Sequence, residues 1–278
     1  MSKPIDRYAV FGNPISHSKS PLIHRLFAQQ TGQRMEYTAE LVEPDGFGEA
    51  VAAFARSGGR GLNITVPFKQ QAFALANRRS ARAERAGAVN TLILHGPGDY
   101  YGDTTDGIGL VRDLIRNHHY EPGGKQILVL GAGGAVRGVL EPLLRNRPAR
   151  LTIANRTGAT ALQLALDFAD LGNVRGCGLD DIGDSSFDLI INGTSASLSG
   201  ELPPLSAALV HRNTFCYDMM YAADDTPFMV WGRENGCAVV VDGLGMLVEQ
   251  AAESFRIWRG VEPTTGAVIE VVRLSLSQ

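Results

Sequence analysis

Residues 126–157 constrain the fold of this chain more than any other stretch. In order, they comprise an uncharged strand at 126–130, a glycine turn at 131–135 (GAGGA), an amphipathic helix that continues to Asn146, and a second strand at 150–154. Gly131 permits a tight turn, and Gly133 lets the backbone approach a pyrophosphate that faces the positive end of the helix dipole. The stretch therefore predicts a βαβ unit that binds a dinucleotide. The alternative is a tight strand-to-helix turn without a ligand.

The residues that follow the second strand indicate which nucleotide binds. An NAD site places an acid there to accept hydrogen bonds from the ribose 2′-hydroxyl, whereas a 2′-phosphate needs a cation. Asn155, Arg156 and Thr157 stand at this position, without an acid. Because the planar guanidinium of Arg156 can grip a phosphate, the sequence favours NADP over NAD. The alternative is that Arg156 is an ordinary solvated charge.

Length and charge limit the class of protein. A chain of 278 residues exceeds what one core usually serves, so we expect two domains. With a net charge of −3, the chain does not have the excess of basic residues that is typical of nucleic-acid-binding proteins. We therefore expect a small-molecule partner. No apolar run reaches the roughly 18 residues of a membrane span and the N-terminus carries no apolar signal, so we expect no membrane association and a cytoplasmic location.

The cysteines predict neither a disulfide framework nor a zinc site. Cys177, Cys216 and Cys237 are widely spaced and form no C-x-x-C pair. We expect reduced thiols in or near the core, and no metal.

The N-terminal half offers three candidate positions that each have a purely structural alternative. Ser18 and Ser20 lie in a hydroxyl-rich loop between a strand at 7–11 and a helix, where Ser20 could simply cap the helix. Lys69 follows a strand at 61–66 and begins a helix, where the helix dipole disfavours a cation. That conflict suggests a functional lysine, although a surface lysine would fit the same spacing. Asp106 could be functional or could cap the helix predicted at 110–117.

The chain order predicts an α/β fold with two parallel sheets. We expect a domain boundary near residue 107, because strands and helices alternate from residue 126 to the strand at 238–241. The last helices are expected to return to the first domain.

The motifs taken together resemble shikimate dehydrogenase in register over nearly the whole chain. They lie at 12–21 (GNPISHSKSP), 63–69 (NITVPFK), 87–91 (GAVNT), 105–107 (TDG), 131–135 (GAGGA), 155–157 (NRT) and 242–250 (DGLGMLVEQ).

This resemblance implies two domains that flank a cleft. Residues 1–106 together with 243–278 would form an α/β substrate-binding and catalytic domain, and residues 107–242 a Rossmann-type NADP-binding domain. The implied reaction is the reversible NADPH-dependent reduction of 3-dehydroshikimate to shikimate in the biosynthesis of aromatic amino acids. The enzyme would act as a monomer or a homodimer.

The resemblance also implies roles for individual residues. Lys69 and Asp106 would form the catalytic pair, because the ketone oxygen gains negative charge and must receive a proton during reduction. Which of the two is the formal proton acceptor in the reverse direction stays open. The implied substrate-binding residues are Ser18, Ser20, Asn63, Thr65, Lys69, Asn90, Thr105, Asp106, Tyr221 and Gln250.

On the cofactor side, the resemblance implies contacts to three parts of NADP. Gly131 would shape the turn. The pyrophosphate would meet Gly133, Gly134 and Ala135; the 2′-phosphate end would meet Asn155, Arg156 and Thr157; and the nicotinamide end would meet Thr194, Met219 and Gly243.

The sequence departs from the family pattern at two notable places. No second basic residue follows Arg156, because residues 158–160 are GAT, and Thr104 stands where asparagine is usual before T-D-G. Two alternatives follow. A quinate/shikimate dehydrogenase would share the catalytic pair, and a non-catalytic NADP-binding redox sensor would not need it.

Overall fold

The computed structural model describes residues 5–194 and 201–276, which form two compact units. The first unit comprises the chain up to Gly109 together with Leu247–Ser275, and the second comprises Leu110–Met246. Each unit has its own six-stranded sheet with helices, so the predicted α/β fold class is confirmed.

The first part of the chain alternates strands and helices. Its elements are β1 (Asp6–Gly12), α1 (Ser20–Thr31), β2 (Met35–Leu41), α2 (Phe47–Arg56), β3 (Gly59–Ile64), α3 (Lys69–Leu75), β4 (Arg78–Arg79), α4 (Ala81–Ala86), β5 (Thr91–Gly96), β6 (Asp99–Asp103) and α5 (Asp106–Arg112). A π-helical turn, Asp113–Asn117, extends α5.

The second part continues the alternation and ends in helices. Its elements are β7 (Gln126–Leu130), α6 (Gly134–Arg145), β8 (Arg150–Asn155), α7 (Gly158–Asp167), β9 (Val174–Gly178), β10 (Leu189–Asn192), β11 (Phe215–Asp218), α8 (Pro227–Glu234), β12 (Val239–Val241), α9 (Leu244–Arg259) and α10 (Gly266–Leu274).

The sheet of the first unit is mixed, so the prediction of a parallel sheet here is wrong. Its strand order is β2-β1-β3-β5-β6-β4. Strand β1 runs parallel to β2 and β3, but β5 pairs antiparallel with both β3 and β6. The cause is local: Gly96 and Gly98, with φ of 155° and 80°, reverse the chain tightly between β5 and β6.

The limits of two strands in this unit follow from the local backbone. The strand expected at 61–66 ends at Ile64, and the side chain of Val66 is 59% exposed just before Pro67. Strand β5 begins at Thr91, four residues after Gly87 ends α4 in the left-handed conformation with φ 61°.

The sheet of the second unit is parallel throughout, as predicted. Its order is β12-β11-β10-β7-β8-β9. Strand β9 is not predicted from the sequence, because its residues VRGCG carry little apolar pattern. Gly176 in that strand permits close packing, since a Cβ there would lie 2.2 Å from the carbonyl oxygen of Ala161 in α7.

The C-terminal helices complete the core of the first unit. Trp258 of α9 donates its indole N–H to the carbonyl of Leu92 at 3.1 Å and covers Gly61, where a Cβ would lie 2.5 Å from the indole nitrogen. Phe255 meets Phe27 of α1 edge-on with ring centroids 5.7 Å apart.

The three cysteines are free thiols, of which Cys177 and Cys216 are buried. The Sγ atoms of Cys216 and Cys237 lie 3.1 Å apart. Among the described residues, the helices are too short or too polar to cross a membrane.

The buried imidazole of His24 predicts an acid-sensitive core in the first unit. Its ring lies in α1, stacked on Tyr37 with centroids 4.1 Å apart, and burial lowers its pKa to about 3. Because an unfolded histidine titrates near pH 6.5, the unfolded chain gains the proton first as the pH falls, so stability is lost below that pH. Between pH 7 and pH 5 we expect a loss of about 2 kcal/mol from this group.

Urea denaturation at the two pH values, on the wild type and on His24→Phe, measures this contribution. The variant should lose less stability on acidification than the wild type. His95→Phe, at an exposed position, serves as the control and should keep the wild-type pH dependence. An unchanged pH dependence in His24→Phe would remove His24 as its source.

Candidate active site and nucleotide site

The topology of the first unit brings separate stretches of chain to one edge of its sheet. Strands β1 and β3 are parallel, so the loops that follow them meet, and the backbone N–H of Asn13 donates to the carbonyl of Val66 at 3.0 Å. Since β5 is antiparallel to β3 and β6, its first residue lies at this same edge, where Thr91 pairs with both Asn63 and Asp103. The candidate residues after β3, before β5 and after β6 therefore converge.

Lys69 and Asp106 form a shielded ion pair at this edge. The Nζ of Lys69 lies 2.6 Å from the Oδ2 of Asp106, and the two side chains are 16% and 8% exposed. Each is the first residue of its helix, α3 or α5. The helix dipole favours the carboxylate at such a position and disfavours the ammonium, so contact with Asp106 compensates Lys69.

Asn90 is the centre of the hydrogen bonds around this pair. Its Nδ2 donates to the Oδ1 of Asp106 at 2.8 Å and to the Oγ1 of Thr105 at 2.9 Å. Its Oδ1 accepts the backbone N–H of Thr105 at 2.9 Å. Because that backbone group can only donate, it establishes which end of the Asn90 amide is oxygen. The carboxylate of Asp106 thus accepts hydrogen bonds at both of its oxygens.

Gln250 and Asn63 join the same cluster from other elements. The Oε1 of Gln250, in α9, accepts from Asn90 at 3.2 Å and from Thr105 at 3.3 Å. Asn63, in β3, donates to the backbone carbonyl of Asn90 at 3.2 Å. Six of the candidates named from the sequence therefore form one hydrogen-bonded group: Lys69, Asp106, Asn90, Thr105, Gln250 and Asn63.

Three further candidates lie in the loops at this edge. Ser18 precedes α1, and its Oγ accepts the backbone N–H of Ser20 at 3.3 Å. Ser20 is the buried first residue of α1. Thr65 follows β3 and packs on Gly12, where a Cβ would lie 2.4 Å from its Cγ2.

Sequence reasoning missed an ionic support behind this edge. Asp103, the last residue of β6, accepts two hydrogen bonds from Arg82 at 2.6 and 2.7 Å and the backbone N–H of Thr104 at 2.8 Å. Burial by itself would lower the pKa of Arg82, but its bonds to Asp103 and Glu253 raise it. The Arg82–Asp103 pair holds the chain in place two residues before Thr105. Nothing in the sequence around Arg82, in the short helix α4, indicates this role.

In the second unit, the glycine turn lies where the strand order reverses. Strand β7 lies between β8 and β10, and the turns after β7 and β10 touch: a Cβ at Gly131 would lie 3.1 Å from the carbonyl oxygen of Gly193. Gly131 has φ 101°, which favours glycine. Such a switch point is where open α/β sheets bind ligands.

The start of α6 suits a phosphate. The helix begins at Gly134 after Gly133, and Ala135 follows in its first turn. Gly133, the cap position, has no side chain to bond the first N–H groups. Apart from Gly133 and its two neighbours in the chain, no described atom lies within 4 Å of where a Cβ of Gly133 would project, so this side of the turn is open.

The tip of β8 borders a cavity of about 680 Å³. Asn155, Arg156 and Thr157 line it, as does Thr194. Arg156 is the only lysine or arginine among the lining residues that the structure describes, and Asp180 and Asp181 also belong to the lining. The residues fit a nucleotide whose phosphate approaches a single arginine.

The residues proposed for the nicotinamide end come together through two buried polar side chains that the sequence analysis did not select. Asn192 ends β10 and accepts the backbone N–H and hydroxyl of Thr194 at 3.2 and 2.8 Å. Asp218 ends β11, accepts from Asn192 at 3.2 Å and binds the backbone N–H of Met220 at 3.0 Å. Their position at the end of buried strands was the available signal.

Gly243 and Tyr221 complete this part of the second unit. Gly243 follows β12 and packs against Met219, where a Cβ would lie 2.4 Å from the Met219 carbonyl oxygen. Tyr221 follows β11 and is half-buried. The carboxyl ends of β10, β11 and β12 thus bring Thr194, Met219 and Gly243 together.

These features define a class of protein. A parallel sheet with a glycine turn at its switch point indicates a dinucleotide-binding unit, and a shielded lysine–carboxylate pair suits proton transfer to a carbonyl oxygen. Within residues 5–194 and 201–276, no group of three or more His, Cys, Asp or Glu side chains is arranged to hold a metal ion. The class is that of dinucleotide-dependent dehydrogenases with a separate catalytic unit.

Comparison with known proteins gives the family. Residues 10–92 match the model of the shikimate dehydrogenase substrate binding domain, residues 113–199 that of shikimate / quinate 5-dehydrogenase, and residues 243–273 that of the shikimate 5′-dehydrogenase C-terminal domain. The chain belongs to the shikimate dehydrogenase family.

Individual relatives agree over nearly the full chain. The shikimate dehydrogenase (NADP(+)) of Methylococcus capsulatus is 59% identical over 98% of this chain and 97% of the relative, and that of Cellvibrio japonicus is 55% identical over 98% and 99%. The solved shikimate 5-dehydrogenase of Thermus thermophilus, in complex with NADP(H) and shikimate, has a TM-score of 0.86 at 31% identity and covers 98% of this chain and 100% of that one. The expected family, its oxidoreductase class and NADP as cofactor are confirmed, and the alternative of a non-catalytic sensor is not supported.

Proposed function

We propose that this chain catalyses the reversible NADPH-dependent reduction of 3-dehydroshikimate to shikimate. The Lys69–Asp106 pair is the observation that carries the proposal, because it places an ammonium and a carboxylate 2.6 Å apart at the sheet edge where the other candidate substrate residues gather. The first unit would be the substrate-binding and catalytic domain, and the second the NADP-binding domain.

Lys69 and Asp106 would handle the proton. When bound, NADPH supplies the hydride. As negative charge develops on the ketone oxygen, the Lys69 ammonium would stabilise that oxygen and donate a proton to it. Asp106 would orient the ammonium through their hydrogen bond. In the reverse direction the pair would take the proton back from the hydroxyl, with the formal acceptor left open between the two.

The remaining candidates would bind and orient. Ser18 and Ser20 would hold the substrate carboxylate with hydroxyl groups, and Tyr221 would reach the substrate as well. Asn63, Thr65, Asn90, Thr105 and Gln250 would contact the carboxylate or the ring hydroxyls. The first turn of α6 would bind the pyrophosphate, Asn155, Arg156 and Thr157 the 2′-phosphate end, and Thr194, Met219 and Gly243 the nicotinamide end.

A substrate panel tests the proposal directly. Initial rates are measured by nucleotide absorbance with shikimate or quinate, each with NADP⁺ or NAD⁺. We expect turnover mainly with shikimate and NADP⁺. Comparable rates with quinate or NAD⁺ would move the chain to the quinate/shikimate alternative, and no turnover in any pair would refute the proposal.

Loss of Lys69 should remove the proton donor. We expect Lys69→Ala to lower kcat by roughly 10²-fold or more, a typical contribution of general acid–base catalysis, with little change in shikimate affinity. Lys125→Ala, one residue before β7 in the second unit, is the control and should retain the wild-type kcat. Normal turnover in Lys69→Ala would exclude this lysine from the mechanism.

Loss of Arg156 should distinguish the two nucleotides. A charge-assisted bond to the 2′-phosphate predicts that Arg156→Ala raises KM for NADPH by about 10- to 100-fold. The KM for NADH should stay unchanged, because NADH has no 2′-phosphate. Arg145→Ala in the last turn of α6, where the exposed Arg145 pairs with Glu141, is a matched control. Equal losses for both nucleotides would contradict a 2′-phosphate role.

The cytoplasmic location and the monomeric or homodimeric state stay predictions. Cell fractionation and light scattering on the purified chain measure them independently of activity.

A further inference from the structure

Two buried hydroxyl groups lie behind the candidate catalytic pair without touching it. Thr91, the first residue of β5, and Ser254, in α9, are both 0% exposed, and their Oγ atoms lie 2.8 Å apart. Thr91 ends the motif at 87–91, but neither residue is among the candidate site residues named from the sequence. A buried hydroxyl group is expected to have a hydrogen-bond partner, and the partners of these two connect them to Asn90.

The hydrogen bonds through these hydroxyls can run in one direction. Asn63 donates from Nδ2 to the Oγ of Ser254 at 3.0 Å. Thr91 donates from Oγ1 to the Oδ1 of Asn90 at 2.9 Å, which uses its single proton. The Oγ1 of Thr91 in turn accepts from the Nδ2 of Asn63 at 3.2 Å, and the hydroxyl of Ser254 has two acceptors within reach, Thr91 at 2.8 Å and the carbonyl of Gln250 at 3.1 Å. Asn90 then donates from Nδ2 to Asp106 at 2.8 Å.

The start of this chain of hydrogen bonds is also defined. The hydroxyl of Tyr37 donates to the Oδ1 of Asn63 at 2.7 Å, which leaves the Nδ2 of Asn63 facing Ser254. The donors therefore run from Tyr37 through Asn63, Thr91 and Asn90 to Asp106, and Ser254 contacts both Asn63 and Thr91. Hydrogen bonds that all point the same way polarise one another, and this series ends on the carboxylate that holds Lys69.

We propose that Thr91 and Ser254 are positioning residues for the reaction: they hold the side-chain amide of Asn90 so that its N–H groups face Asp106. The inference rests on the proposed function, which makes Asp106 the partner of the proton donor. Without the Thr91 hydroxyl, the Oδ1 of Asn90 loses the hydrogen bond that Thr91 donates. It keeps the hydrogen bond from the backbone N–H of Thr105. The amide then gains freedom to turn away, and the Oδ1 of Asp106 loses its donor.

The test compares a hydroxyl-free variant with a hydroxyl-bearing one at the same position. We expect Thr91→Val, which preserves shape, to lower kcat for shikimate oxidation with NADP⁺ by about tenfold, in keeping with the loss of one buried hydrogen bond. Thr91→Ser keeps the hydroxyl and should stay within about threefold of the wild type. KM for NADP⁺ should not change in either variant. Ser254→Ala should lower kcat in the same direction and replaces Thr91→Val if that variant fails to fold.

A matched control separates positioning from stability. Thr214, at the start of β11 in the second unit, is 0% exposed and donates its hydroxyl to the carbonyl of Phe187 at 2.7 Å. Thr214→Val should lower the melting temperature and leave kcat unchanged. If Thr91→Val lowers the melting temperature alike but keeps kcat, or if Thr91→Ser is as slow as Thr91→Val, the positioning role is overturned.

A spectroscopic readout keeps this inference distinct from the proposed function. The side-chain NH₂ protons of Asn90, assigned by nitrogen-15 NMR, should exchange slowly with solvent in the wild type and faster in Thr91→Val. Unaltered exchange would overturn the positioning role even in an active enzyme. A wild type that oxidises no shikimate would refute the proposed function, whereas faster exchange in the variant would still support the role of Thr91 in holding the amide.

Discussion

The shielded ion pair of Lys69 and Asp106 requires hydrogen bonds from the residues around it. Removing two charges from water costs several kcal/mol for each ion, so a shielded pair persists only with good geometry and additional hydrogen bonds. The structure supplies a contact of 2.6 Å and a donor from Asn90 to the other carboxylate oxygen. Asn90 can be that donor because a backbone N–H of Thr105 orients its amide. The geometry of this candidate catalytic pair thus depends on the hydrogen bonds of its neighbours as well as on its own contact.

In both units, a buried aspartate at the end of a strand accepts several hydrogen bonds. In the first, Asp103 collects hydrogen bonds from Arg82 and a backbone N–H at the end of β6. In the second, Asp218 collects them from Asn192, Thr226 and a backbone N–H at the end of β11. A buried acceptor at a strand end orders the loop that follows, because its desolvation has to be compensated by local donors. The loops that carry the candidate residues are therefore held at their first residues.

Topology decides which loops can cooperate. In the second unit the parallel sheet places every candidate loop at one edge, so the expectation of a dinucleotide site followed from strand and turn patterns alone. In the first unit β5 is antiparallel to its neighbours, yet its first residue pairs with Asn63 and Asp103 at the edge where β3 and β6 end. The reversal at Gly96 and Gly98 is what brings Asn90 beside Asp106.

Local pattern and motif order were enough to predict the family, the α/β class, the glycine turn and the individual candidates Lys69, Asp106 and Arg156. They did not predict the mixed sheet, strand β9, or the hydrogen-bond partners of Thr91, Ser254, Asn192 and Asp218. Those depend on residues far apart in the chain: Thr91 and Ser254 are separated by 163 positions, and only folding places their hydroxyls 2.8 Å apart. Local pattern shows which groups a strand or helix carries. Because hydrogen bonds form over about 3 Å, which of these groups become hydrogen-bond partners depends on how the whole chain folds.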